Sequence, residues 1–374
     1  MRPRGDGGQQ ADWYANPAAA SWQAAPLRDQ PRAFHRTLPG YAPTPLTPLP
    51  PVADALGVRA VFLKDESSRL GLPAFKVLGA SYAIARALSA RLGEVDALPL
   101  HRLRERLGGS GPRLVAATDG NHGRAVAHIA ALLGLPATIY VPDGLSSAAT
   151  AAIVSEGAEL VQLELPYDDV VEHAAQRAEG EAMLIQDTSW EGYELVPRWI
   201  VAGYATLVQE VDEQLAAAGL WDLGLVVVPA GVGSLAQAVV HHYRSSSRRP
   251  AILACEPDSA ASVTTALHAG HVEPVHTGNT IMTGLNCGTV SEIAWPTLRD
   301  GLDASAVVTD EQALSATREL ASLGVDSGPC GAATLAALRA AATAASQRND
   351  LGLTADSVVV LLSTEGTAAN PKVP

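Results

Sequence analysis

A chain of 374 residues exceeds one comfortable hydrophobic core, so two domains, or one large α/β unit with a satellite, are expected, with the cleft between them as the default site. Hydrophobic residues make up 47% and charged residues 17% of the chain, a composition that excludes a disordered protein, and the net charge of −13 argues against a nucleic-acid partner. Arginines near the start are followed by no apolar stretch, and the weakly charged run Ala125–Pro142 is split by Gly134 and Pro136, so neither a secretory signal nor a membrane span is expected and the protein reads as cytoplasmic. Cys255, Cys287 and Cys330 are far apart and odd in number, which fits reduced thiols rather than a disulfide framework or a metal-spaced cluster.

Residues 1–50 are rich in proline and alanine, and the first 33 read as an irregular arm packed on the body or on a partner subunit. Apolar β-prone runs then alternate with alanine-rich helical stretches. Strands are expected at 60–63, 114–117, 137–141, 225–228, 252–255 and 358–362, and the polar segment 93–111 reads as a surface excursion. The alanine-rich stretch 336–347 is expected to be a helix, because alanine is the best helix former. Such alternation implies a mostly parallel sheet covered by helices, with ligands outside the carboxyl ends of the strands.

Several chemically unusual segments fall at such places. Lys76, one of only three lysines, lies in Leu72-Pro73-Ala74-Phe75-Lys76-Val77-Leu78-Gly79-Ala80. Apolar neighbours disfavour an ammonium and make the amine a nucleophile able to capture an aldehyde, although a solvated lysine at a helix start has the same local appearance. Thr118-Asp119-Gly120-Asn121-His122-Gly123-Arg124 can bring a carboxylate, an amide and an imidazole to one ligand; His122 reads as structural, and Asp119 would also serve as a helix cap. Gln186-Asp187-Thr188-Ser189-Trp190 follows an apolar run, and there too the aspartate could be a cap.

Val228-Pro229-Ala230-Gly231-Val232-Gly233-Ser234-Leu235-Ala236 is a strand, a glycine loop and a helix start, which suits a phosphate. The same loop fits a dinucleotide fingerprint, with Glu256 where a ribose-binding acid should stand, and a structural turn is a third reading. Ser363-Thr364-Glu365-Gly366-Thr367 follows the last strand and offers hydroxyls to a ring or anion.

Together these segments resemble the pyridoxal-phosphate enzymes of fold type II, the tryptophan-synthase β type, and within them the diaminopropionate ammonia-lyases. The further matching stretches are Phe34-His35-Arg36-Thr37-Leu38-Pro39-Gly40-Tyr41, Lys64-Asp65-Glu66-Ser67, Glu256-Pro257 and Gly284-Leu285-Asn286-Cys287-Gly288, so that order and spacing agree over residues 34–366. The resemblance implies two open, twisted, mostly parallel sheets flanked by helices, a large domain of residues 1–75 and 205–374, a small domain of 76–204, the cofactor between them, and a homodimer. It implies that Lys76 carries the Schiff base, Asn121 contacts the pyridine hydroxyl, Gly231, Val232, Gly233 and Ser234 hold the phosphate, and Ser363 approaches the ring nitrogen. Asp119 would be a second acid/base, and Asp187, with Thr188, would bind a substrate amino group; no metal is implied. The implied activity is α,β-elimination of 2,3-diaminopropionate, of both D and L forms, to pyruvate and ammonia. A hydroxyamino-acid dehydratase or a β-replacement enzyme remains the nearer alternative, and a nicotinamide oxidoreductase built on the Gly231 loop the more distant one.

Overall fold

The computed structural model describes residues 12–25, 29–118, 120–178 and 180–370. Eleven strands form two sheets among these residues: β1 (Trp13–Ala15), β2 (Leu46–Pro48), β3 (Ala60–Asp65), β4 (Leu114–Ala117), β5 (Ala137–Pro142), β6 (Glu159–Leu163), β7 (Met183–Leu184), β8 (Leu223–Pro229), β9 (Ala251–Pro257), β10 (Ala304–Val308) and β11 (Val358–Ser363). The larger sheet has the order β1-β10-β9-β8-β11-β3-β2 and the smaller β6-β5-β4-β7. Pairing is parallel throughout except at the two edges of the larger sheet, where β1 and β2 run antiparallel to their neighbours.

The apolar runs of the central strands lack polar alternation because both faces of the sheet are covered. Val226, Val228, Ile252, Ala254, Val360 and Leu362 point into one core. Their alternate neighbours Leu225, Val227, Leu253, Cys255, Val359 and Leu361 point into another, beneath the helices Asp310–Ser322 and Pro329–Thr343. The first core continues through the helices Val77–Arg91, Leu195–Ala217 and Ser234–Arg244 to one face of the smaller sheet, at Leu114, Ala116, Ile139 and Val141. Val115 and Ala117 face the opposite way, onto the helix Tyr167–Arg177.

Each expected strand is present. Within the amino-terminal arm, Trp13–Ala15 adds an edge strand to β10, with Tyr14 opposite Ser305. Strands β6 and β10 were not marked in the sequence. β6 is half exposed and carries Glu159 and Gln162, while β10 begins with alanine and serine, so neither shows a long branched run. The alanine-rich stretch is helical but breaks at Ala344, whose extended ψ of 117° separates Pro329–Thr343 from Ala345–Asp350.

Candidate active site

The loops after β3, β4, β7, β8 and β11 supply the unusual residues, and those loops converge on one cleft. Its lining includes Phe75, Lys76, Asn121, Tyr167, Asp187, Tyr204, Gly231, Val232, Gly233, Ser234, Cys287, Cys330 and Glu365. The cleft encloses about 680 Å³ of space between atoms, part of it open solvent.

Lys76 stands immediately before the helix Val77–Arg91. Its loop is stitched to the turn after β11: Phe75 N–H donates to Thr364 C=O at 3.1 Å, and Gly366 N–H to Pro73 C=O at 2.9 Å. The apolar surroundings expected for its amine are interrupted, because Nζ is ion-paired with the Asp187 carboxylate. Asp187 is therefore a charge partner and not a helix cap. Burial pushes its carboxyl up, but the charge of Lys76 and the hydrogen bond from it pull it further the other way, to about 2.

His122 donates from Nε2 to the Ile185 carbonyl at 2.7 Å, the backbone satisfaction expected of it, and its Nδ1 lies 3.8 Å from Asp187 Oδ2. Burial, reinforced by the charge of Lys76, lowers its pKa and keeps the ring neutral. Asn121 opens its helix and donates from Nδ2 to Glu365 Oε2 at 2.8 Å. Burial raises the Glu365 carboxyl, against the opposing effects of Cys330 and Asn121.

On the far side, Gly233 at φ 93° turns the chain into the helix Ser234–Arg244, whose first turn carries no acidic residue. A Cβ at Gly231 would stand 3.0 Å from Cys287 Sγ and 3.2 Å from Gly284 O, so the backbone itself forms the wall. The start of that helix, with the positive end of its dipole, lies in the cleft lining, an arrangement that fits a phosphate. Ser234 Oγ donates to the Asp187 carbonyl at 2.7 Å, joining the glycine loop to the loop that carries the carboxylate.

Ser363 is fully buried beneath the cleft, donating to Ser327 Oγ at 2.7 Å. Thr188 is half-buried, one residue beyond Asp187 and outside the lining. Asp119 lies outside the described residues. Glu256 is not placed to bind a ribose: it is fully buried, and its carboxylate accepts from the backbone N–H groups of Val263 and Thr264, each at 2.7 Å, and from the Thr264 hydroxyl. Tyr167 and Tyr204 line the cleft but were not marked in the sequence, for neither belongs to a glycine-rich loop at a strand end.

Comparison with known proteins agrees with this geometry. A family model described as "Pyridoxal-phosphate dependent enzyme" matches residues 37–364. The chain is 36% identical over 352 residues to the diaminopropionate ammonia-lyase of Escherichia coli strain K12, covering 90% of this chain and 87% of that protein. The crystal structure of the Escherichia coli enzyme in complex with D-serine superposes with a TM-score of 0.88 at 34% identity, covering 96% of this chain and 94% of the other. A second structure of that enzyme, in complex with an aminoacrylate-PLP azomethine reaction intermediate, gives a TM-score of 0.86 over the same shares at 34% identity. The lysine before its helix, the dipole-backed glycine cradle and the two-sheet fold thus have one common explanation: this chain belongs to the pyridoxal-phosphate-dependent enzyme family.

Proposed function

We propose that this chain catalyses α,β-elimination of 2,3-diaminopropionate, in both D and L forms, to pyruvate and ammonia. The observation that carries the reading is the contact of Lys76 Nζ with Asp187, a carboxylate held ionised beside the lysine in a cleft that also contains a phosphate cradle. The identity to diaminopropionate ammonia-lyase over most of the chain supports it.

Pyridoxal phosphate, when bound, supplies the aldehyde that captures an amine and the electron sink for a Cα carbanion. The residues of this chain do the rest. The 231–234 loop would anchor the phosphate, Asn121 and Ser363 would contact the ring, and Lys76 would hold the aldehyde between turnovers and take the Cα proton of the L substrate. Asp119 takes the Cα proton of the D substrate. Asp187, with Thr188, binds the β-amino group; its negative charge favours the ammonium, so the C–N bond breaks with its electron pair leaving on neutral ammonia. The released enamine takes up water and yields pyruvate and a second ammonia, so one diaminopropionate and one water give one pyruvate and two ammonia.

This reading divides the chain into a large lobe of residues 1–75 and 205–374 and a smaller lobe of 76–204. The second boundary falls inside the helix Leu195–Ala217, which the two lobes would share. It also makes the enzyme a cytoplasmic homodimer; among the described residues no helix is long and apolar enough to cross a membrane.

The stereochemical part is tested by Asp119→Asn, which keeps shape but cannot accept a proton. Pyruvate formation from D-diaminopropionate should fall by about the 10²- to 10⁴-fold that general-base catalysis contributes, with L turnover less affected. Undiminished D turnover by cofactor-loaded variant would remove Asp119 from this role.

A further inference from the structure

Two buried polar atoms, His122 Nδ1 beside the Asp187 carboxylate and the Tyr204 hydroxyl, have no hydrogen-bond partner among the described residues. Each such atom costs free energy that a native protein ordinarily avoids, so the Tyr204 hydroxyl, on a residue of the cleft lining, and His122 Nδ1, 3.8 Å from Asp187 Oδ2, call for a ligand that completes them. The chemistry of both atoms is defined. His122 Nε2 faces a carbonyl that can only accept, so Nε2 carries the ring hydrogen and Nδ1 presents a lone pair. Burial holds the Tyr204 phenol protonated, and its oxygen retains accepting capacity.

The charges of both Lys76 and Asp187 act on Tyr204, whose ring packs 4.7 Å from that of Phe75, while Lys76 Nζ stands 5.8 Å from the same Phe75 ring. The Asp187 carboxylate that the Lys76 ammonium contacts thus has one neutral acceptor 3.8 Å away, His122 Nδ1, and a second, the Tyr204 hydroxyl, on a residue that lines the same cleft. An ammonium has three N–H donors directed tetrahedrally, and three acceptors are present.

We infer that Asp187, His122 Nδ1 and the Tyr204 hydroxyl form a three-point subsite for the second ammonium group of a diamino acid, with His122 and Tyr204 setting the preference for an amine over a hydroxyl at Cβ. The inference rests on the proposed elimination of diaminopropionate. It gives His122 a binding role in addition to its bond to Ile185. With the Lys76 nitrogen condensed on the cofactor aldehyde, a water being released, Asp187 would be left to the incoming substrate.

The test compares kcat/KM for L-diaminopropionate and L-serine in holoenzyme of wild type, Tyr204→Phe and His122→Gln, together with the melting temperature of each. Tyr204→Phe keeps the ring packed on Phe75 and removes only the unpaired hydroxyl. Its diaminopropionate-to-serine ratio should drop by about tenfold to a hundredfold, the loss of one hydrogen bond to a charged group, while its melting temperature stays the same or rises. His122→Gln should lower the ratio in the same direction. Equal losses on both substrates, or an unchanged ratio with a lowered melting temperature, would overturn the subsite and leave the hydroxyl a structural group. A wild-type enzyme that forms pyruvate from serine alone would sink the proposed function and the subsite together, whereas a wild type active on diaminopropionate with unchanged ratios in both variants sinks the subsite only.

Discussion

Lys64 and Lys76 are twelve residues apart in sequence and serve opposite purposes. Lys64 is fully buried, donating to Glu210 Oε2 at 2.7 Å, to Thr44 C=O at 2.7 Å and to Gln214 Oε1 at 2.9 Å, and Arg69 bridges the same Glu210 to Glu66. Two cations and two carboxylates balance in this network, and releasing the Lys64 amine would leave a buried Glu210 short of a partner, at a cost of about 3–5 kcal/mol. Borohydride reduction of the cofactor-loaded protein followed by peptide mass spectrometry should therefore place the cofactor on Lys76 alone. An adduct on Lys64 or Lys372 would remove the basis of the assignment. Lys76, Asn121, Asp187 and the 231–234 loop were legible because each belongs to an unusual polar or glycine-bearing segment following a strand. Tyr204 was not, since a tyrosine within the apolar run of a long helix has the appearance of core until its hydroxyl is seen without a partner.

Helix packing behind the cleft depends on close approaches that carry no motif. A Cβ at Gly203 would stand 2.6 Å from Leu78 O and 2.9 Å from Gly79 Cα, so the helices Val77–Arg91 and Leu195–Ala217 cross with their backbones nearly touching. This crossing sets the start of the first helix, and with it Lys76, against Tyr204. His35, in the short helix Pro31–His35, ties the pair together: its Nε2 donates to Leu78 C=O at 2.9 Å and its Nδ1 accepts from the Thr206 hydroxyl at 2.7 Å. Burial, opposed by the Leu78 carbonyl and aided by Arg69, lowers the His35 pKa to about 3. The unfolded chain binds this proton near pH 6.5 and the folded chain does not. The contribution is therefore fully present above pH 6.5 and is lost progressively as pH falls toward 3. Between pH 7 and pH 5 the loss amounts to about 2 kcal/mol. His35→Gln supplies the same donor and acceptor without titrating, so urea unfolding should show wild type losing about 2 kcal/mol more than the variant over that interval. Parallel losses would show that His35 does not titrate on unfolding as described.

At the scale of the whole molecule, the alternation of branched runs and alanine-rich stretches was enough to imply parallel sheets between helices. The strand ends then indicated where the site would lie. What composition concealed was pairing at a distance: Trp13–Ala15 becomes β1 only because β10 offers it an edge about 290 residues later, with Trp13 opposite Ala306 and Ala15 opposite Ala304. The two sheets share one apolar core through the helices between them, so the cofactor cradle on β8 and the carboxylate beyond β7 are held on a common support. Gly233→Asp should separate the cradle from the fold. Its Cβ would meet Leu298 Cδ1 at 2.7 Å in a left-handed backbone, and its carboxylate would oppose a phosphate. Purified variant should retain its far-ultraviolet circular dichroism while losing the visible absorbance of the cofactor, and tight stoichiometric binding of a nicotinamide dinucleotide by the wild type would overturn the phosphate reading.

The most direct measurement of all is product formation by the purified, pyridoxal-phosphate-loaded enzyme given L- or D-2,3-diaminopropionate, with pyruvate followed by lactate dehydrogenase coupling and ammonia determined in the same samples. Elimination from the β-amine predicts pyruvate from both enantiomers, two ammonia for each pyruvate, and a higher kcat/KM than for serine. Serine or threonine turnover with no pyruvate from either diaminopropionate enantiomer would contradict it and make this chain a hydroxyamino-acid dehydratase.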